Sequence, residues 1–152
     1  MNLNEAVEEI VILCRNEIEQ NRISLKTQLP ADLPLVWADR VQLQQVFLNL
    51  IVNAIDALNG VGTGPREVSV TTEKDKAGVL ATVRDSGVGL DTGKLDDIFA
   101  AFHTTKSEGM GMGLTISRSI IEAHGGRLWA TPNKPRGATF QLTLPTVQEN
   151  AP

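Results

Sequence analysis

A chain of 152 residues, 41% hydrophobic and 21% charged, is long enough for one domain with a real core and short for two. Its net charge of −4, with both signs interspersed and no basic block, argues against a nucleic-acid surface. A single cysteine, Cys14, excludes an intrachain disulfide and a cysteine-based zinc site and fits a reducing, cytoplasmic setting; no apolar run reads as a membrane span, and the start lacks a signal-peptide pattern.

Val7, Ile10, Val11, Cys14 and Ile18 recur at three- and four-residue steps and predict a helix over 4–20, with Asn4 as its cap and Glu5, Glu8 and Glu9 at the positive end of its dipole. "RISLKTQL" (22–29) alternates and predicts a strand, followed by a segment broken by Pro30 and Pro34. A second helix begins at Asp39, with Gln42 placed as in a capping box. Leu43, Val46, Phe47, Leu50, Ala54, Ala57 and Leu58 form its wide apolar stripe. It stops at the turn-rich "NGVGTGP" (59–65). "EVSVTTE" (67–73) and "GVLATVRD" (78–85) predict a hairpin, and 92–99 a short helix. Residues 113–124 predict a third long helix stopped by Gly125 and Gly126, and "RLWATPN" with "ATFQLTLP" a closing hairpin. Together these elements predict one α+β domain, a two-layer sandwich with its core over about 3–145 and a disordered tail at 146–152.

Three groups of residues carry chemistry. Asn49, Asn53 and Asp56 stand at steps of four and three, on one side of the second helix. They read either as a solvated polar face or as a ligand edge, because an amide oxygen is a hard, neutral donor for Mg²⁺ and that ion needs only one or two protein oxygens beside phosphate. In "RDSGVGL" (84–90), Asp85 shares strand parity with Val79, Ala81 and Val83, so it points inward at the strand end. It reads either as the cap of a turn or as a buried acceptor for an exocyclic amino group such as that of adenine. Gly87 and Gly89 leave room for a flat base against backbone. In "FHTTKSEGMGMGLTISRS", Gly109, Gly111 and Gly113 match neither a dinucleotide fingerprint nor a P-loop. A glycine loop running into a helix start offers backbone N–H groups to an anion, Lys106 adds a charge, and Thr104 and Thr105 add hydroxyls. The same glycines suit a lid that closes over phosphates.

In this order the motifs resemble those of the catalytic, ATP-binding domain of bacterial sensor histidine kinases, in the wider family that includes gyrase, heat-shock chaperone and mismatch-repair ATPases. "LQQVFLNLIVNAIDAL" (43–58) resembles the N box, "DSGVG" (85–89) the G1 box, "IFAAFHTTK" (98–106) the F box, "GMGMGL" (109–114) the G2 box and "GATFQLTLP" (137–145) the closing strand. The likeness is nearest to kinases of the nitrogen- and oxygen-sensing type. It implies a mixed sheet of about five strands covered on one face by three helices, the Bergerat or GHKL fold. It implies ATP and Mg²⁺ as cofactors, with Asn53 on the metal and Asp85 on the adenine amino group. Gly87 and Gly89 would line the adenine pocket, with Thr139 near it through water. Lys106, Thr104, Thr105, Gly109, Gly111, Gly113 and Leu114 would surround the phosphates, and Phe99 and Phe102 would anchor the lid.

Asn49 occupies the position where hydrolytic relatives carry a glutamate that activates water. An amide is no base, which suits transfer to a histidine rather than to water, so Asn49 and Lys106 are the expected catalytic residues. The resemblance implies a phosphoacceptor histidine on a helical dimerisation domain, with a response regulator beyond it. Neither His103 nor His124 sits in such a context. The chain therefore reads as the catalytic domain alone, expected to bind Mg·ATP without phosphorylating itself. An ATP hydrolase of the same superfamily and a non-catalytic interaction module are the alternatives. Departures from the family pattern are Ala100 and Ala101 in the F box, His103 beside them, and Asp56 where relatives carry a lysine. His124, in a helix's last turn, reads as structural.

Overall fold

The computed structural model describes residues 1–59, 64–76, 78–87, 110–133 and 136–147. In chain order these form α1 (Leu3–Leu13), α2 (Arg15–Gln20), β1 (Ser24–Gln28), α3 (Arg40–Asn59), β2 (Glu67–Asp75), β3 (Gly78–Asp85), α4 (Met110–Ala123), β4 (Arg127–Pro132) and β5 (Ala138–Leu144). The predicted short helix at 92–99 lies outside the described residues.

The first predicted helix is two segments meeting at Cys14, yet the bonds from Cys14 N–H to Ile10 O and from Ile18 N–H to Cys14 O carry the helical ladder across the break. Its cap is Asn2, whose side chain accepts from Glu5 N–H, and not Asn4. Asn4 is buried and fully used elsewhere: its Nδ2 donates to Pro30 O at 2.7 Å and its Oδ1 accepts from Thr72 Oγ1 at 2.7 Å. That polar tie fastens α1 to β2 through the core.

Five strands form one mixed sheet in the order β1-β2-β3-β5-β4. β1 runs parallel to β2, with α3 as the crossover a parallel pair requires, and the other pairs are antiparallel. Alternation decides the faces. Val68, Val70, Val79, Ala81, Val83, Phe140, Leu142 and Leu144 are buried beneath the helices. Ser69, Thr71, Thr82, Arg84, Thr139, Gln141 and Thr143 hold the other parity and form the uncovered face.

α3 is the central element. Asp39 Oδ1 accepts from Gln42 N–H at 3.0 Å, as expected of its cap. The reciprocal bond comes from elsewhere: Asp39 N–H donates to His124 Nε2 at 3.1 Å, while His124 Nδ1 lies 2.7 Å from Ile120 O. His124 is thus a hydrogen-bond bridge between α4 and the start of α3. The apolar stripe is wider than predicted, because Ile51 and Ile55 are buried with Leu43, Val46, Phe47, Leu50, Ala54 and Leu58. By length and composition α3 could cross a membrane, against the sequence reading, but this stripe packs on α1, α4 and β3. Each such side chain contributes roughly 1.5–3 kcal/mol on full burial, which makes α3 the core helix of the domain. Arg66 closes its end by donating to Leu58 O and Asn21 O. The fold also runs past the predicted boundary at 145, since Thr146 pairs with Val36 and Val147 N–H donates to Leu35 O.

Candidate functional site

α3 touches both the start of α4, through Asn49, and the turn after β3, through Ala57. Asn49 Nδ2 donates to Gly113 O at 3.2 Å and to Ser117 Oγ at 3.1 Å, and its Oδ1 accepts from Gln45 Nε2 at 3.0 Å. Both amide protons are therefore spent on α4. A Cβ on Gly113 would stand 3.5 Å from Asn49 Cγ, an ordinary contact, so the two helices approach closely here without depending on the glycine. Ser117, wholly buried, is a partner that the sequence reading missed. Asn49, expected to serve the chemistry, forms a seam between α3 and α4. Asn49→Glu illustrates the difference. It removes both donors and sets a carboxylate against the Gly113 carbonyl, so it should lower stability by about 1–3 kcal/mol and leave ATP hydrolysis no faster. Thermal melting and steady-state phosphate release check both parts.

Asn53, one turn further, is half-buried, and its side chain has no hydrogen-bond partner among the described residues. No group of three carboxylate, imidazole or thiol side chains among the described residues could hold a metal. A divalent ion at this end would rest on phosphate oxygens plus a single neutral oxygen, the donor type that Asn53 offers.

Asp85 ends β3 on the helix side, as its parity predicted, and is 3% exposed. Burial pushes its carboxyl above the usual carboxylate range, while hydrogen bonds from the backbone N–H of Gly87 and Ala138 pull the other way. The Gly87 N–H to Asp85 Oδ1 bond is 2.8 Å long. Between them Ser86 turns outward, where its Oγ donates to Pro65 O and accepts from Glu67 N–H. Gly87 then lies against α3, where a Cβ would stand 2.7 Å from Ala57 C and 2.8 Å from Ala57 Cβ and O. The missing side chain makes room for α3.

Two further residues fall elsewhere than expected. Thr139 is on the uncovered face, across the sheet from the Asp85 carboxylate, because strand alternation places its neighbours Ala138 and Phe140 inward. Its Oγ1 donates to Asn133 Oδ1. Leu114 is buried in the hydrophobic core, so its side chain is not part of a polar site. α4 begins at Met110, three residues before the predicted start, which places Gly111 and Gly113 inside its first turn. Gly89, Phe99, Phe102, His103, Thr104, Thr105, Lys106 and Gly109 lie outside the described residues.

Residues 38–148 match the family described as histidine kinase-, DNA gyrase B- and HSP90-like ATPase. The sensor protein FixL of Bradyrhizobium diazoefficiens is 42% identical over 150 residues, which are 98% of this chain and 29% of FixL. The solved catalytic domain of histidine kinase ThkA, in a nucleotide-free form, is 34% identical with a TM-score of 0.83 over 96% of this chain and 93% of its own. ThkA in complex with the response regulator protein TrrA superposes at a TM-score of 0.80 and 32% identity, over 99% of this chain and 42% of that one. The chain thus spans under a third of FixL.

Proposed function

Because the chain belongs to the histidine kinase-, DNA gyrase B- and HSP90-like ATPase family, we propose that it is the ATP-binding catalytic domain of a cytoplasmic sensor-kinase module in two-component signalling. It binds Mg·ATP and delivers the γ-phosphoryl group to a histidine on a separate dimerisation domain, from which a response regulator is served. The observation that carries this reading is the Asp85 carboxylate, buried at a strand end and facing the helix that presents Asn53. A carboxylate so placed costs stability unless a ligand uses it, and the amino group of adenine is such a ligand.

The roles divide along the chain. Asp85 accepts from the adenine amino group, and Asn53 would hold Mg²⁺, which when bound neutralises phosphate charge. Lys106, Thr104, Thr105, Phe102, Gly89, Gly109, Gly111 and Gly113 take their nucleotide roles from the family resemblance. The acceptor imidazole nitrogen attacks the γ-phosphorus. A P–N bond forms, the bond to the β–γ bridging oxygen breaks, and ADP leaves with the electron pair. Positioning and charge stabilisation carry such a transfer: the imidazole's own lone pair is the nucleophile, and its remaining ring proton passes to solvent. Asn49 agrees with this, since an amide with both protons bonded to α4 activates no water.

Asn53→Ala is the discriminating variant. Titration calorimetry should show Mg·ATP affinity reduced roughly ten- to hundredfold, the scale of one lost contact to a charged group, with adenosine affinity nearly unchanged. Equal losses for both ligands would mean a damaged helix and no metal site. Transfer of label from γ-³²P ATP to a dimerisation domain supplied in trans tests the reaction itself.

A further inference from the structure

The turn between β4 and β5 is tied to the strand end that carries Asp85. Asn133 Nδ2 donates to the Asp85 carbonyl oxygen at 3.0 Å. Its Oδ1 accepts from Thr139 Oγ1, and its own N–H donates to Gly137 O at 2.9 Å. Gly137 adopts a φ of +105°, and a Cβ there would stand 2.1 Å from the Asp85 carbonyl oxygen. The next residue, Ala138, is the ladder partner of Asp85. One residue thus ties the backbone of Asp85, Gly137 and Thr139 of β5 in one arrangement.

We propose that Asn133 is a positioning residue for nucleobase recognition: it fixes the terminal residue of β3 so that the Asp85 carboxylate meets the base in one orientation. The proposal rests on the reading of Asp85 as the adenine acceptor. On the β2 side the end of β3 is held by Ser86, whose N–H donates to Glu67 O at 3.1 Å and whose Oγ bonds Pro65 O and Glu67 N–H. On the β5 side the side-chain tie is Asn133; without it that edge of the strand end is free to shift the carboxylate, and a hydrogen bond weakens steeply as its angle departs from linear. Thr139 completes the device by orienting the Asn133 amide, so that its Nδ2, and not its Oδ1, faces the Asp85 carbonyl.

The test compares Asn133→Ala and Asn133→Asp with the parent chain, using ATP, GTP and Mg·tripolyphosphate as probes in titration calorimetry. Asn133→Asp retains an acceptor for Thr139 and replaces the donor to Asp85 by a carboxylate oxygen facing its carbonyl, so it serves as a second variant if the alanine variant does not fold. ATP affinity should fall roughly five- to tenfold, the ATP-over-GTP preference should narrow by the same factor, and tripolyphosphate binding should be unchanged. An unchanged ATP-over-GTP preference, whatever the melting temperature does, overturns the proposal. Asp85→Asn run in parallel separates the two levels. If it keeps the ATP preference, the reading of Asp85 fails and this inference with it. If it loses the preference while both Asn133 variants keep theirs, this inference alone fails.

Discussion

Asp85→Asn is expected to weaken ATP binding by about 1.5–3 kcal/mol, the range for a hydrogen bond to a charged group, while the nucleotide-free protein melts no lower than the parent. The two halves have one cause. Asp85 is 3% exposed, and burial raises its carboxyl above the ordinary range. A carboxyl whose pKa is raised in the fold favours the folded state most when protonated. Stability from this group is therefore fully present below its unfolded value and is lost as pH rises through the raised folded value. Above that window the empty parent bears an ionised, buried carboxylate, and the asparagine variant does not. The melting difference in favour of the variant should grow across the window and then level off. Part of the gain is offset, because one amide group cannot accept as freely from Gly87 N–H and Ala138 N–H as a carboxylate does. GTP, with a carbonyl in place of the amino group, should bind the parent poorly. A variant that melts well below the parent at neutral pH, or a parent that binds GTP as well as ATP, would break this account.

What the sequence made legible was set by how local the determining physics is. α3 was readable because its stripe, its Asp39 cap and its terminating loop all lie within one segment. The strands were readable because alternation alone assigns Val68, Val83 and Phe140 to the core. Asp85 was found by the same parity. Asn4 was misread because it looks like a cap, and only Thr72 and Pro30, far along the chain, reveal its true use. Thr139 shows two arguments in competition. The family resemblance placed it near the base, while the pleat puts its side chain on the opposite face from Phe140 and Leu142. Asn49 was read as an amide that is no base, and its partners Gly113 and Ser117 lie more than sixty positions on and left no mark near it. Asn133 gave no signal whatever, since its function lies in a bond to a backbone oxygen on another strand.

Gly87→Ala should cost both stability and nucleotide binding, which sets it apart from Asp85→Asn. Gly87 is not among the glycines with positive φ, so alanine meets no conformational barrier there. The obstacle is α3. The added methyl would stand 2.7 Å from Ala57 C and 2.8 Å from Ala57 O and Cβ, and the first two are backbone atoms of a packed helix that cannot turn aside. α3 is held by its own buried stripe and by Asn49 on α4, so the turn after β3 has to move instead. Moving it draws Gly87 N–H away from Asp85 Oδ1 and leaves a buried carboxylate with fewer donors. Overpacking of this kind costs about 1–3 kcal/mol before the lost hydrogen bond is counted. Thermal melting should therefore drop clearly, and ATP affinity should fall at least tenfold by the same measure as one lost charged hydrogen bond. Ala57→Gly supplies the control. It removes the methyl contact but leaves the two backbone contacts and adds about 1 kcal/mol of helix cost. In a double-mutant cycle it should recover part of the binding loss and little of the stability. Full recovery of both would mean that side chain alone, and not the α3 backbone, limits this approach. Normal melting and normal ATP affinity in Gly87→Ala would mean that the turn after Asp85 does not lie against α3 at all.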